Sequence, residues 1–138
     1  MPKMKTGSCL CGAVAYEVHG PLRPSIACHC TICRKLTGHY WSATQALTSD
    51  LRLTEDRGLR WHDSSDRARR AFCQYCGSNL FYREHGSNRT SIGTGTLDLP
   101  TGLHTETHIC LTEKGDYYEV AEGRELSNST AKASERAN

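Results

Sequence analysis

The sequence predicts a mainly β domain, built of antiparallel sheets of short strands drawn together around clusters of cysteine. Three observations predict it. Seven of the eight cysteines fall into three tight groups, Cys9-x-Cys11, Cys28-x-Cys30-x-x-Cys33 and Cys73-x-x-Cys76. Many short segments alternate apolar and polar residues with a period of two, the pattern of a half-buried strand. Gly, Pro, Asp and Ser separate those segments, as turns require.

Taken in order, residues 13–18 alternate, with Val14, Tyr16 and Val18 on one face. The best helical candidate is one or two turns over residues 31–36. Residues 40–46 carry aromatic and small side chains suited to a pleated surface. Residues 51–53 and 59–61 alternate again, and residues 80–82, 90–92, 105–109 and 117–120 complete the expected strands.

A chain of 138 residues fits one domain. The domain is expected over residues 1–126. Residues 127–138 are rich in Ser, Ala and Asn without a large apolar side chain, and read as a flexible tail. The net charge of +2 does not suggest a nucleic-acid partner. No segment approaches the roughly 20 apolar residues of a membrane span. Residues 1–7 contain basic side chains without the apolar run of a secretory signal. A cytoplasmic location is therefore expected, and in a reducing compartment clustered cysteines read as metal ligands rather than disulfides.

Cys73-Gln-Tyr-Cys76-Gly77 has the form of a zinc knuckle. Two thiolates share a turn, and the glycine after the second permits a backbone conformation that a Cβ hinders. One knuckle supplies half of a tetrahedral site. Cys9-Leu-Cys11-Gly12 is the matching half, so Cys9, Cys11, Cys73 and Cys76 are expected to form a closed, structural four-thiolate site. Cys28, Cys30 and Cys33 have no clustered cysteine left to pair with. Three protein ligands with an open fourth position characterise catalytic zinc, and a site of three thiolates suits a soft fourth ligand such as a thiol. The alternative is a structural site completed by a nearby His or Asp, with His39 as one candidate. Two zinc ions per chain are thus expected.

His29, between two of these cysteines, points away from their metal. It serves as acid, base or carboxylate binder, or else as a histidine without special role. Arg34 and Lys35 follow the cluster and Arg67, Arg69 and Arg70 precede Cys73. They either frame the open site as a binder of substrate carboxylates or form a solvated basic face. Cys110 reads as a small buried hydrophobe.

These motifs resemble a known family, the glutathione-dependent formaldehyde-activating enzymes and the related centromere protein V. The resemblance rests on Gly7-Ser-Cys9-Leu-Cys11-Gly12-Ala-Val14, Cys28-His-Cys30-Thr-Ile-Cys33-Arg34-Lys35 with Gly38, Phe72-Cys73-Gln-Tyr-Cys76-Gly77-Ser-Asn-Leu80, Gly95-Thr-Leu97-Asp98 and His108-Ile109. It implies a β-tent fold, a structural zinc at Cys9, Cys11, Cys73 and Cys76, and a second, more exposed zinc at Cys28, Cys30 and Cys33. It also implies a carbon–sulfur lyase that joins glutathione and formaldehyde as S-hydroxymethylglutathione. Where many members carry a Trp after the His-Ile strand, this chain has Gly115-Asp-Tyr117-Tyr118. A thiol-adduct lyase with glutathione as partner is the leading expectation. A non-enzymatic binding module and a thiol redox sensor are the alternatives.

Overall fold

A computed structural model describes residues 4–121 and the short strand 125–126. The expected tail at 127–138 lies outside the described residues. The strands are β1 (Lys5–Ser8), β2 (Ala15–Val18), β3 (Ser25–Cys28), β4 (Trp41–Leu47), β5 (Leu51–Glu55), β6 (Leu59–Asp63), β7 (Ala68–Cys73), β8 (Asn79–Glu84), β9 (Arg89–Gly93), β10 (Thr105–Ile109) and β11 (Glu125–Leu126). One α-helix, α1 (Thr31–Thr37), follows β3. They form a three-stranded sheet in the order β1-β2-β5 and an eight-stranded sheet in the order β11-β10-β3-β4-β9-β8-β7-β6.

The mainly β class is as the alternation predicts, but two expectations need correction. The large sheet is mixed rather than antiparallel, because β10 runs parallel to β3 and to β11. Residues 117–120 form turn and coil, not a strand. Gly115 and Asp116 open that segment with turn chemistry. The Tyr117 and Tyr118 rings then pack against each other and against His39 instead of lying on a sheet. Four strands escaped the alternation rule, among them the two-residue β11. In β3 all four residues are buried, so no polar face alternates. In β7 two arginines interrupt the apolar pattern, and β1 is a short edge strand holding Gly7.

The eight-stranded sheet separates two cores. Neighbouring side chains on a strand point to opposite faces. Phe81 accordingly packs with Val14, Tyr16, Val18, Leu80 and Ile92 beneath the small sheet. Tyr82, the next residue, packs with Ile26, Trp41, Ala43, Ala68 and Ile109 on the other face. Each core contains its own cysteines. Cys9 and Cys73 belong to the first, and Cys28, Cys33 and Cys110 to the second.

Candidate metal centres

The first centre joins the β1–β2 loop to the β7–β8 turn. Both are knuckles of the same build. Gly12 N–H donates to Cys9 O (3.3 Å) and Gly77 N–H to Cys73 O (2.8 Å), with the two glycines at φ 84° and 81°. Backbone amides also donate to sulfur, Val14 to Cys9 Sγ at 3.3 Å and Tyr75 to Cys73 Sγ at 3.4 Å, as thiolates prefer. The Ser78 hydroxyl lies 3.3 Å from Cys76 Sγ, and that hydrogen bond holds the Cys76 thiol down at about 5. The Cys9 and Cys11 sulfurs are 3.8 Å apart, and those of Cys11 and Cys73 are 3.7 Å apart. A tetrahedron with bonds of about 2.3 Å to sulfur has edges of about 3.8 Å, so the set fits a four-thiolate zinc.

The second centre lies across the sheet, where β3 runs into α1. Cys28 ends β3. Cys30 caps α1, its sulfur accepting the Cys33 N–H at 3.3 Å, and Cys33 sits in the first helical turn. The three sulfurs lie within 4.8 Å of one another. Among the described residues no His, Asp or Glu offers a ligand atom within that distance of all three, His39 included. Hydrogen bonds from Cys28 and Cys33 hold the Cys30 thiol far below its ordinary value, with the Arg70 charge contributing. Hydrogen bonding with Cys110 and then Cys30 pushes the Cys28 thiol up. Three converging sulfurs with an N–H donor and a cation beside them fit a soft divalent ion. The chain thus has two cysteine clusters that can each hold a metal ion. Their exposure runs opposite to what the resemblance implies. Cys28 and Cys33 are buried, whereas Cys11 of the four-cysteine set is exposed.

The three arginines before Cys73 that were expected to frame this centre do not converge on it. Alternation along β7 sends Arg69 and Arg70 to opposite faces. Arg69 stacks over the Trp61 ring at 4.4 Å, and Arg67 lies exposed beside Asp66, Glu84 and His85. Arg34 is half-buried and Lys35 exposed on α1. Only Arg70 reaches the sulfurs, with Nη2 donating to Cys33 Sγ at 3.4 Å.

His29 turns away from the cluster into a pocket of 390 Å³, lined by His29, His39, Tyr40, Thr105, His108 and Tyr118, with residues 119–121 at its rim. Its two ring nitrogens are taken. Nδ1 bonds to the Tyr118 hydroxyl, and Nε2 lies 3.0 Å from His108 Nδ1. Burial, then the neighbouring His108, lowers its pKa to about 4, so the imidazole is neutral at pH 7. Burial likewise raises the Tyr118 phenol, which therefore keeps its proton. Either neutral tautomer of His29 satisfies both contacts: in one, Tyr118 O–H donates to His29 Nδ1 and His29 Nε2–H donates to His108 Nδ1, and in the other each donor and acceptor is exchanged. Tyr40 packs on His29 with ring centroids 4.9 Å apart. Sequence reasoning missed Tyr40 and the contact of Cys110 with Cys28, and marked Tyr118 only as part of a departure from the family pattern. The tyrosines follow no motif, and Cys110 lies 77 positions from Cys33 in the chain. It meets Cys28 because β10 lies parallel to β3, with Ile109 opposite Cys28.

Comparison with known proteins settles the kinship. The family model described as glutathione-dependent formaldehyde-activating enzyme matches residues 4–113. The chain belongs to that family. An uncharacterized lyase of Schizosaccharomyces pombe is 26% identical over 122 residues, 88% of each chain. A crystal structure of a Rhodobacter sphaeroides protein superposes with a TM-score of 0.59 at 26% identity, covering 70% of this chain and 91% of that one. No helix among the described residues is long and apolar enough to cross a membrane.

Proposed function

We propose that this protein is a zinc-dependent carbon–sulfur lyase that makes or breaks a thiol adduct such as S-hydroxymethylglutathione. One observation carries the reading: three sulfurs converge at Cys28, Cys30 and Cys33, and among the described residues no fourth His, Cys, Asp or Glu ligand atom lies within 4.8 Å of all of them. Membership of the family and the lyase-named relative support it. Cys9, Cys11, Cys73 and Cys76 hold a structural zinc, and the other three cysteines hold a second one. Held by Cys28, Cys30 and Cys33, a zinc ion would supply Lewis acidity that favours a substrate thiol in its thiolate form.

In the forward direction the thiol sulfur adds to formaldehyde carbon. One C–S bond forms, the C=O double bond becomes a C–O single bond, and the proton released by the thiol ends on the new hydroxyl. The chain's own residues handle that proton. Tyr118 O–H, His29 and His108 form a continuous hydrogen-bonded line along the pocket wall. With Tyr118 taking up the thiol proton at one end and His108 Nε2 giving up its own proton to the new hydroxyl at the other, the transfers along the line switch the tautomers of both imidazoles and leave every group neutral. Arg34 and Lys35, on the helix that begins at the cluster, hold the substrate carboxylates. Such chemistry suits the cytoplasm, where thiols stay reduced.

Two measurements test the reading together. Calorimetry of the zinc-loaded protein with glutathione shows saturable binding that Cys30→Ser abolishes. Exchange spectroscopy on glutathione and labelled formaldehyde shows the adduct interconverting faster with the protein than without it. Absence of glutathione binding sinks the proposal. Binding without faster exchange reassigns the protein to carrying the thiol.

A second reading, thiol redox sensing, is favoured by the hydrogen bond between Cys110 and Cys28. Hydrogen peroxide would take two electrons and two protons from this pair, leaving a disulfide and two waters, and the metal would lose a ligand. Peptide mapping after mild peroxide treatment finds a Cys28–Cys110 link if the reading holds, and unlinked thiols if it does not.

A further inference from the structure

Arg70 is the buried cation of the second centre. It is only 8% exposed, although its strand neighbour Arg69 reaches toward solvent. Its guanidinium lies 4.9 Å from the Tyr82 ring centroid and 5.4 Å from that of Trp41, while Nη2 donates to Cys33 Sγ at 3.4 Å. Register explains the placement. Arg70 is paired with Tyr82 across β7 and β8, so both side chains emerge on the face that holds Cys28 and Cys33. Its Nε is buried without a hydrogen-bond partner. Burying a guanidinium is costly unless an anion or aromatic faces compensate it, and here it has the Cys33 sulfur on one side and two rings about it.

We infer that Arg70 sets the ligand specificity of the three-cysteine centre, by making it tolerate an anionic fourth ligand. This rests on the proposed reading of that centre as a metal site with one position left for substrate. A divalent ion with three thiolates has one negative charge in excess, and the guanidinium cancels it. A thiolate arriving as fourth ligand then leaves a single excess charge in a buried place, where without Arg70 it would leave two. A neutral fourth ligand changes nothing in that count. Arg70 therefore discriminates by charge, favouring thiolate over imidazole or water.

The test uses the full chain loaded with cobalt, whose visible spectrum reports the fourth ligand directly. Two probes are titrated at pH 7.5: 2-mercaptoethanol, which binds as a thiolate, and imidazole, which binds neutral. At a separation near 6 Å and an intermediate effective dielectric, Arg70→Gln is expected to weaken thiolate binding roughly ten- to hundred-fold and imidazole binding less than about three-fold. Arg70→Lys, which keeps the charge and loses the planar fork, is expected to retain most of the preference. Equal weakening of both probes in Arg70→Gln marks a structural role and overturns the inference, as does unchanged thiolate binding. If Arg70→Gln fails to load cobalt, Arg70→Lys decides, since loss of the thiolate preference with the charge still present overturns it. If the wild-type protein takes up no thiolate while Arg70→Gln loads cobalt normally, the open-site reading itself is what fails.

Discussion

Gly58 shows how narrowly a single position can govern the four-cysteine centre. A Cβ there would stand 2.8 Å from the Ala13 Cβ and 2.9 Å from Cys73 Sγ, closer than real methyl groups come. Both neighbours are buried, Ala13 in the β1–β2 loop and Cys73 at the knuckle. Gly58→Ala is therefore expected to cost about 1–3 kcal/mol, as overpacking does, and to weaken the first metal site with it. Gly77 makes the contrasting case. Nothing lies within 4 Å of its would-be Cβ, but φ is +81°. Gly77→Ala is expected to cost about 1 kcal/mol from backbone strain alone, leaving metal content intact. Thermal unfolding and metal counting on the two variants separate sterics from conformation. Tyr118 bears on chemistry rather than stability. Tyr118→Phe keeps the ring against His39 and removes the hydroxyl bonded to His29 Nδ1. Adduct exchange is expected to slow on the order of ten- to hundred-fold, with both metals retained. An unchanged exchange rate would remove the proton line from the mechanism.

At the scale of elements, the two centres perform different mechanical tasks. The first ties the β1–β2 loop to the β7–β8 turn, which belong to different sheets. The hydrogen bonds between them include the Leu10 N–H to Ser78 Oγ bond at 3.1 Å and one from the Cys11 backbone to the Cys76 sulfur, and a bound metal would add the strongest tie. The second lies within one short stretch, 28–33, already held by β3 and α1. Cys73→Ser is therefore expected to lower the melting temperature by about 10 °C or more, a loss of several kcal/mol. Cys30→Ser is expected to lower it by only a few degrees while abolishing glutathione binding. Equal losses in melting temperature would erase the division between architecture and function. This is also where the sequence was most legible. Cysteine spacing and the glycine after each pair give the partition into four and three, since a tight turn is a local property. What sequence could not show was set by strand register. The burial of Arg70, the turning away of Arg69 and the meeting of Cys110 with Cys28 depend on which residues stand opposite each other across β7/β8 and β3/β10. The tyrosines of the pocket were illegible for a related reason, since residues 117–120 alternate like a strand yet lie off the sheet.

For the molecule as a whole, the eight-stranded sheet acts as a partition with one cysteine cluster on each face. This arrangement makes a prediction about metal loss. Cys11 is exposed and Cys76 half-buried at the first centre, so a chelator can approach an edge of it. At the second, Cys28 and Cys33 are closed off beneath the sheet and α1, and only Cys30 is partly accessible. A closed set of four thiolates nevertheless binds zinc more tightly than three thiolates with a replaceable fourth ligand. Equilibrium and kinetics should therefore part company. Under limiting chelator at equilibrium, the second centre empties first and the far-ultraviolet spectrum stays native. Under a large excess of chelator, release is biphasic, and the phase belonging to the first centre coincides with loss of protection from hydrogen exchange in β1 and β2. Because the cores lie on opposite faces, emptying one centre should leave exchange protection in the other core unaltered within two-fold. Mass spectrometry of the intact protein during chelation, read beside amide exchange of the two sheets, checks both statements. A single concerted loss of both metals with global unfolding would show that the sheet couples the cores instead of insulating them.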